Sequence, residues 1–119
     1  MSEEHKQLVK ALVKPGYKIL PELTLNDAHL LHMCMGVMGE MGELIDAVKK
    51  SIIYQKPLDL ENVVEEFGDI EFYLEGLRQG LNIDREETIN KNISKLNKRY
   101  STGAYSNKQA VERADKVTK

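Results

Sequence analysis

Apolar side chains recur at Leu31, Cys34, Met38, Met41, Ile45, Val48 and Ile52, the three-four spacing that keeps residues on one face of an α-helix. With Asn26 as the predicted N-cap, the run lasts about seven turns and the rod is about 40 Å long. A compact domain of 119 residues has a radius of gyration of only about 13–14 Å. Such a rod must bend or find a partner. Gly36, Gly39 and Gly42 lie in its middle, each costing up to roughly 1 kcal/mol relative to Ala, so a kink or a closely packed helix is expected to offset them.

The remaining punctuation divides the chain into further helices. Pro15-Gly16 ends a first helix over residues 4–14, and residues 15–25 read as a connector. The segment YQKPLD ends the long second helix. Asp59 caps a third over residues 60–79, which Gly80 closes. Asp84 with Glu87 three positions on resembles a capping box that opens a fourth over residues 85–100. Past Gly103 the chain is polar, with one or two helical turns expected around Gln109 to Asp115. No segment alternates as a strand would. The expectation is an all-α, four- to five-helix bundle forming a single domain over 1–119: N-terminal helix and connector (1–25), core helices (26–100) and a polar tail (101–119).

Seventeen Lys+Arg against nineteen Asp+Glu give a net charge of −2. There is no global basic field, which argues against a protein that coats nucleic acid. No apolar run approaches the roughly 18–20 residues of a membrane span, and the start MSEEHK lacks the pattern of a signal peptide. A cytoplasmic protein is expected, without nucleic-acid or membrane partners. A chain this short builds a small core, and its single Cys rules out an internal disulfide, so self-association is the expected supplement.

Most acids of a helical protein are solvated surface. On the third helix Val63, Phe67, Ile70, Leu74 and Leu77 form the apolar stripe, and Glu61, Glu71 and Glu75 point well away from it. Asn62, Glu66, Asp69 and Tyr73 instead follow i, i+4, i+7, i+11 on the shoulder of that stripe, where a neighbouring helix borders them. The second helix offers a matching column in Glu40, Glu43 and Lys50, with Gly36, Gly39 and Ala47 leaving the space around them empty. That column lies nearly opposite the main apolar stripe, so an exposed acidic face is the competing reading. The fourth helix carries Asn92, Lys95 and Arg99, with Tyr100 beside them. Its cations also complement a helix C-terminus, which is a second ordinary explanation.

Four carboxylates converging from two helices would raise one another's pKa unless a divalent cation stood between them. All-oxygen donors select Mg²⁺, Mn²⁺ or Ca²⁺. Because Mg²⁺ keeps several waters and is usually completed by substrate phosphates, the pattern points to a phosphorylated, nucleotide-like ligand held from the far side by Lys and Arg.

At these residues the sequence resembles the MazG-like all-α nucleoside triphosphate pyrophosphohydrolases, in particular the compact, phage-type members. The motif Glu-x-x-Glu followed by Glu-x-x-Asp reads GEMGEL, for Glu40 and Glu43, and EEFGDI, for Glu66 and Asp69, with 22 residues between the halves. The resemblance runs over residues 39–100 and takes in Tyr73, Asn92, Lys95, Arg99 and Tyr100; Ser101 stands where many relatives have Pro. It implies Mg²⁺ (Mn²⁺ as substitute) on Glu40, Glu43, Glu66 and Asp69. It also implies hydrolysis between the α and β phosphates, with Glu43 or Glu40 as base toward the attacking water. Lys50, Asn92, Lys95 and Arg99 would then hold phosphates, Tyr73 and Tyr100 would contact sugar or base, and sites would be completed in a homodimer or a dimer of dimers. Phosphoribosyl-ATP pyrophosphatase and a non-catalytic helical interaction module are the alternative functions.

Other features are set aside. His29 and His32 lack the Glu-x-x-His companions of a di-iron bundle. The three glycines follow no strand and precede no Lys-Ser/Thr, so neither a P-loop nor a dinucleotide fingerprint is supported. Met33, Met35, Met38 and Met41 read as adaptable packing, and Cys34 as a buried thiol.

Overall fold

Ser2 caps the first helix, its hydroxyl accepting the His5 N–H at 3.1 Å, and Glu3 and Glu4 in the first turn complement the helix dipole. The computed structural model describes residues 2–116. In chain order it contains α1 (Glu3–Leu12), α2 (Gly16–Ile19), a 3₁₀ turn (Leu20–Glu22), α3 (Leu25–Ile53), α4 (Leu60–Leu81), α5 (Arg85–Arg99), α6 (Asn107–Glu112) and a second 3₁₀ turn (Ala114–Lys116). The described residues contain no strand. The fold is all-α, and the expected connector is itself partly helical. No helix is long and apolar enough to cross a membrane among the described residues.

The helix ends differ from expectation at three places. Thr24, not Asn26, caps α3: its hydroxyl accepts the Asp27 N–H at 3.0 Å while the Asp27 carboxylate accepts the Thr24 N–H at 2.9 Å. This reciprocal box satisfies two otherwise orphaned donors. Asn26 is released to donate across to the Gly80 carbonyl of α4 at 3.1 Å. At the end of α4 the chain continues through Gly80 and turns at Asn82, whose φ of 61° is left-handed; Ile83 N–H then donates to the Arg78 carbonyl at 2.9 Å. Asp84 precedes α5 as expected but makes no side-chain cap. A capping box pairs a hydroxyl with an acid, whereas Asp84 and Glu87 would set two carboxylates against each other.

α3 and α4 pack antiparallel along the site-bearing stretch. Gly36 lies under the Tyr73 ring, Gly76 under the Met33 side chain, and Gly80 against His29, whose Cδ2 would be 2.7 Å from an added Cβ. His29 Nε2 donates to the Gly76 carbonyl at 2.7 Å, so this histidine fastens two helices. Asp59 caps α4 as predicted, accepting the Asn62 N–H at 3.1 Å.

The face of α3 that meets α4 includes Gly36 and Ala47, whereas Gly39 and Gly42 look into open space. Met33 is buried, and Gly36, Val37, Glu40, Leu44 and Ala47 are half-buried. The regular apolar stripe points elsewhere. Met38 is 72% exposed, Ile45 61% and Ile52 68%, and Cys34, expected to be buried, is exposed on the same side. Small side chains let two backbones approach closely, while the long residues of the stripe would hold the axes apart. Met33 and Val63 are the buried apolar residues among those described.

α5 packs on the tail, against α6 and the final 3₁₀ turn, rather than along the α3–α4 pair. The radius of gyration is 20.4 Å, against about 13–14 Å for a compact domain of this length. One chain therefore forms an open arrangement, and its cationic helix does not close over the acids as the sequence pattern predicts.

Candidate active site

Glu40 of α3 meets Glu66 and Asp69 of α4, with one carboxylate oxygen from each lying within 4.8 Å of the others. The antiparallel register and the glycines beneath it bring them together. Glu40 and Glu66 are half-buried and Asp69 is exposed. Oε2 of Glu66 is buried and, among the described residues, has no hydrogen-bond partner. The Glu66 carboxyl is pushed up to about 7, first by its hydrogen-bonding approach to Glu40, then by burial and by the negative charges of Glu40, Asp69 and Glu43. Two ionised carboxylates can only accept, so this contact requires a shared proton or a cation. The donor set fits a hard divalent ion: it is all oxygen, comes from two rigid helices, and includes one buried oxygen left unpartnered.

The other predicted residues are placed as follows. Glu43, one turn beyond Glu40, is exposed and lies outside the three-acid set, acting on Glu66 through its charge. Lys50 pairs with Asp46 of its own helix at 2.9 Å, and that hydrogen bond holds the ammonium above its usual range. Tyr73 is half-buried in the α3–α4 seam, edge-on to Phe72 with ring centroids 5.1 Å apart. Asn92 and Lys95 are exposed on α5. Arg99 is clasped by Asp115 of the tail, Nε to Oδ1 at 2.9 Å and Nη2 to Oδ2 at 3.3 Å. Tyr100 stands 5.6 Å, centroid to centroid, from Tyr105. The structure thus unites Glu40, Glu66 and Asp69, while Arg99 and Tyr100 at the end of α5 each meet a tail residue, Asp115 and Tyr105.

Comparison with known families is decisive for the class of protein. The MazG nucleotide pyrophosphohydrolase domain matches residues 29–103, more than half of the chain. The chain belongs to this family. The MazG match spans both acid pairs and the whole of α5, and it makes nucleotide pyrophosphohydrolysis, with a general dependence on divalent metal, the chemistry of this fold. It leaves α1, α2 and the tail from Ala104 onward outside the family pattern. No curated protein and no solved structure matches the chain.

Sequence reasoning on the MazG core passed over Asp115 and Tyr105, which sit in a polar tail without periodicity. The helix in that tail, α6, is capped by Ser106, whose hydroxyl accepts the Gln109 N–H at 3.0 Å.

Proposed function

We propose that this MazG-family chain is an Mg²⁺-dependent hydrolase of nucleoside triphosphates, deoxynucleoside forms foremost, with Mn²⁺ as a substitute. It acts between the α and β phosphates for sanitation or balance of the nucleotide pool. The observation that carries this reading is the convergence of Glu40, Glu66 and Asp69 around a buried, unpartnered oxygen. Those three side chains would hold the ion, which supplies screening of the charge that builds on the phosphate oxygens. Glu43, close in sequence to Glu40 yet outside the three-acid set, is the carboxylate this reading assigns to take a proton from the attacking water, with Glu40 the alternative. The water oxygen bonds to the α phosphorus, the bond from that phosphorus to the bridging oxygen breaks, and its electron pair leaves with pyrophosphate. Lys50, Asn92, Lys95 and Arg99 hold phosphate oxygens, and Tyr73 and Tyr100 border sugar or base.

The working form in this proposal is a homodimer or a dimer of dimers. The chain exposes 9949 Å², whereas a folded monomer of its mass exposes about 6,600 Å². The excess is concentrated in part on the outward stripe of α3, where Met38, Ile45 and Ile52 stand open. Covering that stripe with a second copy would supply the missing core.

The test is a panel of ribo- and deoxynucleoside triphosphates, including dUTP, dCTP and oxidised purines, with phosphoribosyl-ATP alongside, assayed for pyrophosphate with and without Mg²⁺. Release from a deoxynucleoside triphosphate that stops on chelation is expected. Preference for phosphoribosyl-ATP replaces the substrate assignment, and no release from any nucleotide leaves only a helical interaction module.

A further inference from the structure

His29 and His32 lie one turn apart on α3 and are used differently. His29 bonds the Gly76 carbonyl through Nε2 at 2.7 Å. His32 is exposed, and its ring nitrogens meet no hydrogen-bond partner among the described residues. A neutral imidazole carries one donor and one acceptor, so both face outward here. The His32 ring stands 6.3 Å from that of Tyr73, centroid to centroid, and is tilted by 60°. Phe72, 67% exposed, meets the same tyrosine edge-on. Tyr73 is itself fixed over Gly36, so rings from two helices gather around one anchored side chain.

This cluster adjoins the acids. On α4, Phe72 and Tyr73 follow Asp69 by one turn. On α3, His32 precedes Glu40 by two turns, about 12 Å along the axis. Because the two helices are antiparallel, with Gly36 against Tyr73 and Met33 against Gly76, both steps lead the same way from the carboxylates. At about 100° per residue, His32 falls within about 20° of Glu43 and about 120–160° from Met38, Ile45 and Ile52. It therefore shares the flank of the acids and stands away from the outward apolar stripe. A nucleotide whose phosphates sit at the acids spans a comparable length and carries its base to the rings.

We infer that His32 and Phe72 select the nucleobase at this centre: Phe72 supplies a ring on which the base stacks, and His32 a hydrogen bond to its polar edge. The inference rests on the proposed function, which puts Tyr73 at sugar or base, and adds His32 and Phe72 as the pair that sets base preference. Stacking accepts any base, whereas a single imidazole hydrogen bond distinguishes one edge from another.

The probes are dUMP, dCMP, dAMP, dGMP and inorganic pyrophosphate, each titrated calorimetrically into the full-length protein with Mg²⁺. For the monophosphate that the parent chain binds best, Phe72→Ala and His32→Ala should each weaken binding about tenfold, the scale of a lost base stack or hydrogen bond. Pyrophosphate affinity should stay within about twofold, as expected for a group bound away from the substituted side chains. Phe72→Tyr keeps the ring and should bind as the parent does. His32→Gln keeps a donor and an acceptor at a different reach and should reorder the preference among the bases. Unchanged monophosphate binding in both alanine variants, or an equal loss toward pyrophosphate, overturns the assignment. So does an altered sedimentation coefficient of Phe72→Ala with monophosphate binding intact, which gives the rings to a contact between copies. Triphosphate hydrolysis on the same preparations separates the two readings. Turnover by the parent, with alanine variants that bind every monophosphate normally, sinks the base subsite alone; selective loss of monophosphate binding, with no turnover by the parent, sinks the enzyme reading alone.

Discussion

Gly36 lies directly beneath the ring of Tyr73, so that a Cβ on the glycine would fall inside the aromatic side chain. This contact sets how closely α3 approaches α4, one turn from Glu40 on one helix and one turn from Asp69 on the other. The glycine's cost in a helix is offset here by the ring that replaces its side chain.

Gly36→Ala should therefore destabilise the fold by about 1–3 kcal/mol, the usual cost of overpacking. Gly39→Ala and Gly42→Ala, where an added Cβ meets open space, should be neutral or gain up to roughly 1 kcal/mol from helix propensity. Circular dichroism melts of the three variants check this. Combining Gly36→Ala with Tyr73→Ala should recover part of the loss, the non-additivity expected of touching residues.

Metal-free protein should lose stability as pH rises from about 4.5 to about 7. The Glu66 carboxyl is raised in the folded chain from 4.5 to about 7, so across that window the folded state keeps a proton that the unfolded state has released. The contribution is complete below the lower value and gone above the upper one. Melting temperatures in chelator, recorded across that range, should fall, and Glu66→Gln should flatten the curve. Added Mg²⁺ should restore stability most at the alkaline end, where protons no longer compete for the oxygens.

Glu40→Gln and Glu43→Gln should fail in different ways. Removing a donor of the three-acid set should weaken Mg²⁺ binding by at least about tenfold, in the range seen when a metal site loses part of its support. Glu43→Gln should leave that affinity within a few-fold and lower turnover by about 10²–10⁴, the usual scale of general base catalysis. Metal titrations paired with pyrophosphate release separate the two. Loss of metal binding in Glu43→Gln would return that residue to the donor set.

Introducing charge on the outward stripe should break the assembly without touching the acids. Met38→Glu combined with Ile45→Glu places two carboxylates where a second copy is proposed to pack, and buried unpaired charge is strongly unfavourable. Sedimentation velocity should then show a monomer, and the parent chain should sediment as a dimer or larger. An unchanged sedimentation coefficient would move the interface to another face.

Helical content, the two breaks at Pro15 and Pro57, the cap at Asp59 and the acid pairs were all legible in the chain because each depends on residues within a few positions of one another. The register of Glu40 with Glu66 and Asp69 was half legible. Spacing showed that each helix carries its acids on one face, while the partner face was settled by where glycine and alanine permit close approach. For the same reason the stripe of Leu31, Met38, Ile45 and Ile52 proved a poor guide to what α4 covers: periodicity shows that a face is apolar and says nothing of which neighbour meets it. Thr24 displaced Asn26 as the α3 cap because its reciprocal bond with Asp27 satisfies two donors, and Asn26 found a better acceptor 54 residues away at Gly80.

Sequence alone marked the candidate carboxylates Glu40, Glu43, Glu66 and Asp69, because each pair lies at helical spacing within one segment. Tertiary structure alone decided which three acids share a space, that Glu43 stands apart from them, and that Arg99 is held by Asp115. Those are relations between distant segments, governed by how closely two backbones can pack and by which charges the packing leaves out of water.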